Sequence, residues 1–315
     1  MVVAWLLVFF SLGILFLGGE ALVKGASSLA QRAGLTPLMI GLTVVAFGTS
    51  SPELVVSLKA SLTGQGDITV GNVLGSNIFN IGVILGITAL ICPIPVRSQI
   101  VKFDAPIMVV VAVVTPFVLF DKNVDRLEGL LLSLAIVAYT VWNYVLAKNT
   151  SDLEELSEFE QEVPKMLKNA LWDLAYIVGG LALLMLGSRV LLDNAVVIAR
   201  ILGVSEAVIA ITIVAAGTSM PELVTCVVAA FHRHPDIAIG NVIGSNIFNI
   251  LGVLGTSALA QPLASYAISN VDMGVMVGFS LLLLPMLWTD RKLRRFESVA
   301  LLLSYGLYLA WLWPK

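Results

Sequence analysis

Glu53 and Glu222 are the residues of this sequence best placed to do chemistry. Each lies deep in a long apolar run, directly after a proline, in the segments GTSSPEL from Gly48 and GTSMPEL from Gly217. An ionisable side chain inside a membrane-spanning helix is costly enough to be read as functional by default. Thr49 and Thr218 stand four residues before these glutamates, and Ser50 and Ser219 stand three before, so each set projects toward one helix face. A second pair of segments, GNVLGSNIFNI from Gly71 and GNVIGSNIFNI from Gly240, places Ser76 with Asn80 and Ser245 with Asn249 at the same spacing of four. Brought together, these groups offer carboxylates, hydroxyls and amide oxygens, with no cysteine and no histidine. Hard cations take such sets, calcium binding about six to eight oxygens, whereas transition metals prefer nitrogen or sulfur. Two carboxylates carry the charge that balances one Ca²⁺ in a low-dielectric interior. The same oxygens suit Na⁺, and mutually exclusive occupancy is the physical basis of exchange. Loading more than two sodium ions leaves the site positive and makes transport electrogenic.

The elements that must position these groups follow from the same residues. Pro52 lacks an N–H and crowds the carbonyl of Gly48, and Pro221 does the same at Gly217. The expected result is a helix break in each segment, with freed carbonyls near Ala46 and Ala215. Irregular backbone at membrane depth is tolerated where it lines a polar cavity. Gly71, Gly75, Gly240 and Gly244 allow close helix approach. Asn77 and Asn246 admit a plainer role as packing groups that cap neighbouring carbonyls.

The chain has 315 residues, of which 58% are hydrophobic and 12% charged. A soluble domain needs roughly a quarter of its residues charged, so the composition implies an integral membrane protein. Apolar runs predict ten helical spans, at residues 2–23, 36–62, 69–91, 103–120, 128–147, 169–191, 205–230, 238–260, 270–288 and 296–313. They lack the in–out alternation of a β-barrel. The first run follows no basic segment and precedes no A-x-A site, so it reads as an uncleaved span. Cys92 and Cys226 cannot build a disulfide framework and read as small buried hydrophobes. With the N-terminus outside, inward loops hold 12 of the 18 basic residues, which puts both termini outside and the central loop in the cytoplasm. That loop, 148–168, is acidic and carries Leu153, Leu156, Phe159 and Val163 at helical spacing; it lacks the ordering of an EF-hand and reads as a solvated linker.

Both motif pairs recur at one offset of 169 residues, and the match runs without a gap from Leu17/Leu186 to Pro93/Pro262. The chain therefore divides into a first repeat (1–147), the linker (148–168) and a second repeat (169–315). Five spans per repeat is an odd number, so the second copy enters the bilayer from the opposite side. In secondary transporters such inverted repeats bring two broken helices, here the second and seventh spans, together at the midplane.

At these motifs the sequence resembles the sodium/calcium exchanger branch of the calcium/cation antiporter superfamily. GTSSPE and GTSMPE are similar to its two alpha-repeat signatures, completed by GNVLGSNIFN and GNVIGSNIFN, and the resemblance covers essentially the whole chain. It implies an all-α membrane fold of ten helices in two inverted repeats. It further implies that Glu53 and Glu222 bind calcium with Thr49, Thr218 and the carbonyls of Ala46 and Ala215. Ser50, Ser219, Ser76, Ser245, Asn80 and Asn249 would complete sodium sites, and the first and sixth spans would slide over the rest. Some relatives carry Asp where this chain has Asn80 or Asn249; in the potassium-dependent branch that Asp is linked to potassium use, so Asn argues against potassium co-transport.

The nearest alternative is a proton/calcium antiporter of the same superfamily, whose acids fall in a GN-x-x-E segment; Gly75 and Gly244 hold that slot here. A magnesium or other divalent exchanger is a variant. A passive channel would need a continuous pore, usually made by oligomerising, whereas one chain already holds both half-sites and is expected to work as a monomer. An enzyme would need a nucleophile–base pair; His232 and His234 have none evident and read as solvated or at the headgroups. No cofactor, nucleic acid or further partner is implied beyond the lipid bilayer and the transported Ca²⁺ and Na⁺. Asp104, Asp272, Glu20 and Lys24 read as span-end groups that snorkel.

Overall fold

A computed structural model describes residues 1–149, 167–203 and 213–312; most of the acidic linker and the start of the seventh predicted span lie outside these residues. The described chain is almost wholly helical. Helix α1 (Val2–Ala33) is followed by α2 (Pro37–Thr49) and α3 (Ser51–Leu62), then α4 (Gly66–Ile91), α5 (Ile100–Val118) and α6 (Arg126–Asn149). The second half contributes α7 (Ala170–Ile201), the short α8 (Ala215–Thr218), α9 (Met220–Phe231), α10 (Pro235–Ala260), α11 (Asn270–Trp288) and α12 (Arg295–Leu312). Seven of the described helices are long and apolar enough to cross a membrane, and α2 with α3, which meet at a 42° bend, make an eighth if taken as one span.

The core sits in α4 and α10. The 18-residue apolar window of α10 is entirely buried and that of α4 is 72% buried, whereas the window of α1 is only 28% buried. Hydropathy alone could not rank these spans, because polar and small residues dominate the two most enclosed ones. Both carry a π-helical turn, Asn80–Leu85 in α4 and Asn249–Leu254 in α10. Such a turn inserts one extra residue and re-aims the side chains around it.

Helices α1 and α7 pack on each other along their length, and glycines make the approach possible. A methyl group on Gly18 would lie 2.9 Å from the backbone N of Leu184, and one on Gly180 would lie 2.6 Å from that of Leu22. Each helix runs ten residues past its expected end, to Ala33 and Ile201. The apolar run stops near Lys24 and Arg189, but Gly25, Ala26, Ser27, Ser28 and Ala30 continue a buried face on α1. Glycine ends α1: Gly34 takes φ 63° and returns its N–H to the last turn. Gly203, at the equivalent place after α7, takes φ 78°.

Two short antiparallel ladders tie the halves together. Strand β1 (Ile94–Pro95) pairs with β4 (Lys292–Leu293), and β2 (Asn123–Val124) pairs with β3 (Leu263–Ala264). Adding the 169-residue offset converts β1 into β3 and β2 into β4, so the two ladders are the same junction made twice.

Candidate functional site

The proline positions decide the local backbone. Pro52 and Pro221 sit in the first turns of α3 and α9, where a missing N–H costs nothing. The joint residues before them leave helical geometry, Ser50 at φ −81°, ψ 6° and Ser219 at φ −86°, ψ 10°. The expected freed carbonyls fall elsewhere than supposed. Those of Ala46 and Ala215 accept backbone N–H groups from Ser50 and Ser219 at 3.0 and 3.3 Å. The carbonyls that lose a donor to proline are those of Gly48 and Gly217, and the latter accepts the Ser188 hydroxyl at 2.5 Å. The Ala215 carbonyl also accepts from the Thr218 hydroxyl at 3.1 Å, and the Ala46 carbonyl lies 3.5 Å from the Thr49 hydroxyl.

All twelve residues singled out above are buried, none more than 6% exposed. The Ser50 hydroxyl donates to Oε1 of Glu222 at 2.8 Å, and the Ser219 hydroxyl donates to Oε1 of Glu53 at 2.9 Å. Each carboxylate is thus held by the serine that precedes the other carboxylate by three residues. Their second oxygens, Oε2 of Glu53 and of Glu222, have no hydrogen-bond partner. Oδ1 of Asn80, Oδ1 of Asn249 and Oγ of Ser76 are likewise buried without one. Ser245 makes only a long contact, 3.4 Å, to Oδ1 of Asn241. A buried oxygen without a partner is costly; five of the predicted ligands carry one, as do Ser27, Gln31, Thr88, Thr225 and Ser257 elsewhere among the described residues.

The two threonines are oriented by residues that spacing alone did not single out. Thr49 donates to Oδ1 of Asn241 at 3.0 Å and Thr218 to Oδ1 of Asn72 at 3.2 Å, across the two halves. A hydroxyl has one proton to give, so each threonine keeps lone pairs for another ligand whichever acceptor takes that proton. Asn72 is itself fixed by Ser57 at 3.0 Å, and Asn241 by Sγ of Cys226 at 3.4 Å. The available signal was periodic: 72, 76 and 80, like 241, 245 and 249, lie at intervals of four on one helix face.

Glu53 and Glu222 are not the only buried acids. Asp104 and Asp173 are 1% and 0% exposed. Asp104, expected to snorkel, accepts from the Tyr139 hydroxyl at 2.9 Å and from Gln99 at 3.1 Å. Asp173 accepts from Ser28 at 2.5 Å and pairs with Arg32 at 2.6 Å. Both oxygens of each aspartate are therefore bonded. The orphaned oxygen, not burial, distinguishes the two glutamates. The remaining expectations divide. Asp272 caps α11 and accepts from Tyr308 at 2.8 Å. Lys24 lies over the Tyr176 ring, 5.3 Å from its centroid. His234 is buried, and His232 contacts Glu20 at 2.8 Å. Cys226 is buried as expected and Cys92 only partly.

The chain is similar to known proteins along almost its whole length. The family model described as sodium/calcium exchanger protein matches residues 3–145 and 172–313. The chain belongs to the sodium/calcium exchanger family. It is 33% identical to the sodium/calcium exchanger MaX1 of Methanosarcina acetivorans, over 95% of each chain. It is 36% identical to the inner membrane protein YrbG of Escherichia coli, over 99% of this chain and 96% of that one. Among solved structures it is similar to the sodium-calcium exchanger NCX_Mj soaked with Na⁺ and Sr²⁺, with a TM-score of 0.84 and 30% identity over 98% of both chains. The chain is an integral membrane protein of the exchanger fold, and its relatives are transporters.

Proposed function

We propose that this chain exchanges Ca²⁺ for Na⁺ across the membrane by alternating access at one buried site. The observation that carries the reading is the reciprocal arrangement of Ser50 with Glu222 and Ser219 with Glu53, which leaves one bare carboxylate oxygen on each glutamate. Two buried carboxylates with unused oxygens repel each other unless a cation lies between them. Ca²⁺ takes these oxygens with the hydroxyls of Thr49 and Thr218 and the carbonyls of Ala46 and Ala215. Na⁺ ions use the same glutamates with Ser50, Ser219, Ser76, Ser245, Asn80 and Asn249, so occupancy by one ion excludes the other.

In this reading the chain forms ten spans as two inverted repeats, 1–147 and 169–315, with 148–168 as a cytoplasmic linker. The second and seventh spans are broken, and both termini face outward from a cell inner membrane. The exchange of β1·β4 for β3·β2 under the 169-residue offset supports the inversion. The paired α1 and α7, exposed to lipid and joined through glycines, are the elements that slide over the enclosed α4 and α10. One chain supplies both half-sites and works as a monomer.

Sodium rather than proton coupling is supported at Gly75 and Gly244. A Cβ at Gly244 would lie 2.6 Å from the Leu42 carbonyl oxygen and one at Gly75 would lie 3.2 Å from Cβ of Ala215. Backbone therefore fills the slot at Gly244 where proton/calcium antiporters carry an acid, and at Gly75 the fit is tight. The test is uptake of ⁴⁵Ca²⁺ into proteoliposomes with an outward Na⁺ gradient, an outward proton gradient or neither. Sodium-driven uptake that Glu53→Gln abolishes is the expected result. Uptake driven by protons and indifferent to Na⁺ assigns the chain to proton coupling, and downhill flux with no counter-ion would make it a channel.

A further inference from the structure

A buried primary amide can present either its oxygen or its NH₂ to a site by turning over about its last torsion, and only the oxygen can hold a cation. Asn80 and Asn249 are both fully buried, and in both the Oδ1 has no partner. Their NH₂ groups are committed. Nδ2 of Asn80 donates to Oδ1 of Asn246 at 3.0 Å, and Nδ2 of Asn249 donates to Oδ1 of Asn77 at 3.1 Å. The accepting amides are fixed in turn: Nδ2 of Asn77 donates to the backbone carbonyl of Asn246 at 3.2 Å, and Nδ2 of Asn246 approaches Sδ of Met108 at 3.6 Å. Each lock crosses from one half of the chain to the other.

We infer that Asn77 and Asn246 are positioning residues that hold the amides of Asn249 and Asn80 with their oxygens toward the transported cation. The inference rests on the reading that Asn80 and Asn249 face that cation. A pair of amides buried only for packing satisfies donors and acceptors alike. Here the donors of Asn80 and Asn249 are used and their acceptors are left bare. The locks also select the ligand type. A carboxylate at either position has no N–H to give and sets an oxygen against the oxygen of Asn77 or Asn246. The pair therefore keeps these two ligands neutral and leaves Glu53 and Glu222 as the carboxylates of the site.

The test is a double-mutant cycle on the full chain, read by displacement of bound ⁴⁵Ca²⁺ with Na⁺ and by the KM for Na⁺ and maximal rate of exchange in proteoliposomes. Asn249→Ala weakens Na⁺ binding, so more Na⁺ is needed to displace half of the bound ⁴⁵Ca²⁺. Asn77→Ala alone weakens Na⁺ binding about fivefold, the effect of losing one neutral hydrogen bond, and acts on KM more than on maximal rate. Combined with Asn249→Ala it adds nothing further. Asn80 with Asn246 behaves in the same way. If the two losses multiply in both cycles, the asparagines act independently and the positioning role is overturned. If Asn249→Ala leaves binding and exchange unchanged, the ligand reading fails instead, which is a separate result. Should Asn77→Ala not fold, as judged by size-exclusion chromatography, Asn77→Ser replaces it in the same cycle. An arm with Asn249→Asp adds a sign test: Asn77→Ala improves Na⁺ binding in that background by removing the opposing oxygen, and a further loss there counts against the lock.

Discussion

The Ser50 hydroxyl and Oε1 of Glu222 lie 2.8 Å apart although 172 residues separate them in the chain. The equivalent pair, Ser219 and Glu53, closes the same contact from the other half at 2.9 Å. Each half of the chain thus finishes the acid of the other, and neither site half is complete by itself.

Removing one of these hydroxyls tests that dependence. Ser50→Ala leaves Oε1 of Glu222 buried without its donor, and a hydrogen bond to a charged group contributes about 1.5–3 kcal/mol. Ca²⁺ affinity is expected to fall about tenfold or more, with Ser219→Ala close to the same. Concentration dependence of ⁴⁵Ca²⁺ uptake measures both; an effect confined to one serine contradicts the symmetry of the site.

Function and stability should part company at the glutamates. Glu53→Gln or Glu222→Gln abolishes exchange, yet each removes a buried charge that has no cation to compensate it in the ion-free protein. The ion-free variants are therefore expected to unfold at a higher temperature than the ion-free parent. They also lose the Ca²⁺-dependent rise in Tm that ligand binding gives the parent. Thermal unfolding in detergent, with and without Ca²⁺, reads both effects.

Close approach at Gly244 predicts an asymmetry. A methyl group there would meet the Leu42 carbonyl at 2.6 Å and Cβ of Ala46 at 2.8 Å, whereas at Gly75 its nearest neighbour is Cβ of Ala215 at 3.2 Å. Overpacking typically costs about 1–3 kcal/mol, and at Gly244 the strain falls on backbone beside a proposed ligand. Gly244→Ala should lower exchange more than Gly75→Ala, as initial rates at saturating Ca²⁺ report. Equal losses would show that both helices yield alike.

The Arg32–Asp173 pair joins α1 to α7, and Arg32 also donates to the Leu167 carbonyl at 2.8 Å. Asp173 is fully buried while Arg32 is 29% exposed at its side chain. Arg32→Ala strands a buried charge, and breaking such a pair costs about 3 kcal/mol or more. Asp173→Asn, which strands none, is expected to cost less. Denaturation midpoints of the two variants give the comparison.

Much of the site was legible because its residues are improbable where they stand. Acids, hydroxyls and amides inside apolar helices, duplicated at one offset, have few explanations, and the same pattern carried the family. Periodicity also placed most helix limits within a few residues. It misjudged α1, where glycine and serine continue a buried face that hydropathy reads as polar, and α7, where Asp193 and Asn194 interrupt an apolar run that resumes to Ile201. It also expected Asp104 to snorkel, because the Tyr139 hydroxyl that holds it inside comes from another helix, 35 residues away. Asn72 and Asn241 were in plain view within the motifs, yet their task depends on threonines in the opposite half.

The sequence by itself determined a helical membrane protein, its repeat, and the kinds of oxygen gathered near two glutamates, since hydropathy, spacing and residue chemistry are local properties. Tertiary structure alone decided which oxygens stay unpaired. Ser50, Ser219, Asn77 and Asn246 reach across the two halves to fix one end of a carboxylate or amide and leave the other bare. A hydrogen bond needs two groups within about 3 Å of each other, and distances of that kind between residues more than 160 positions apart exist only once the halves have packed.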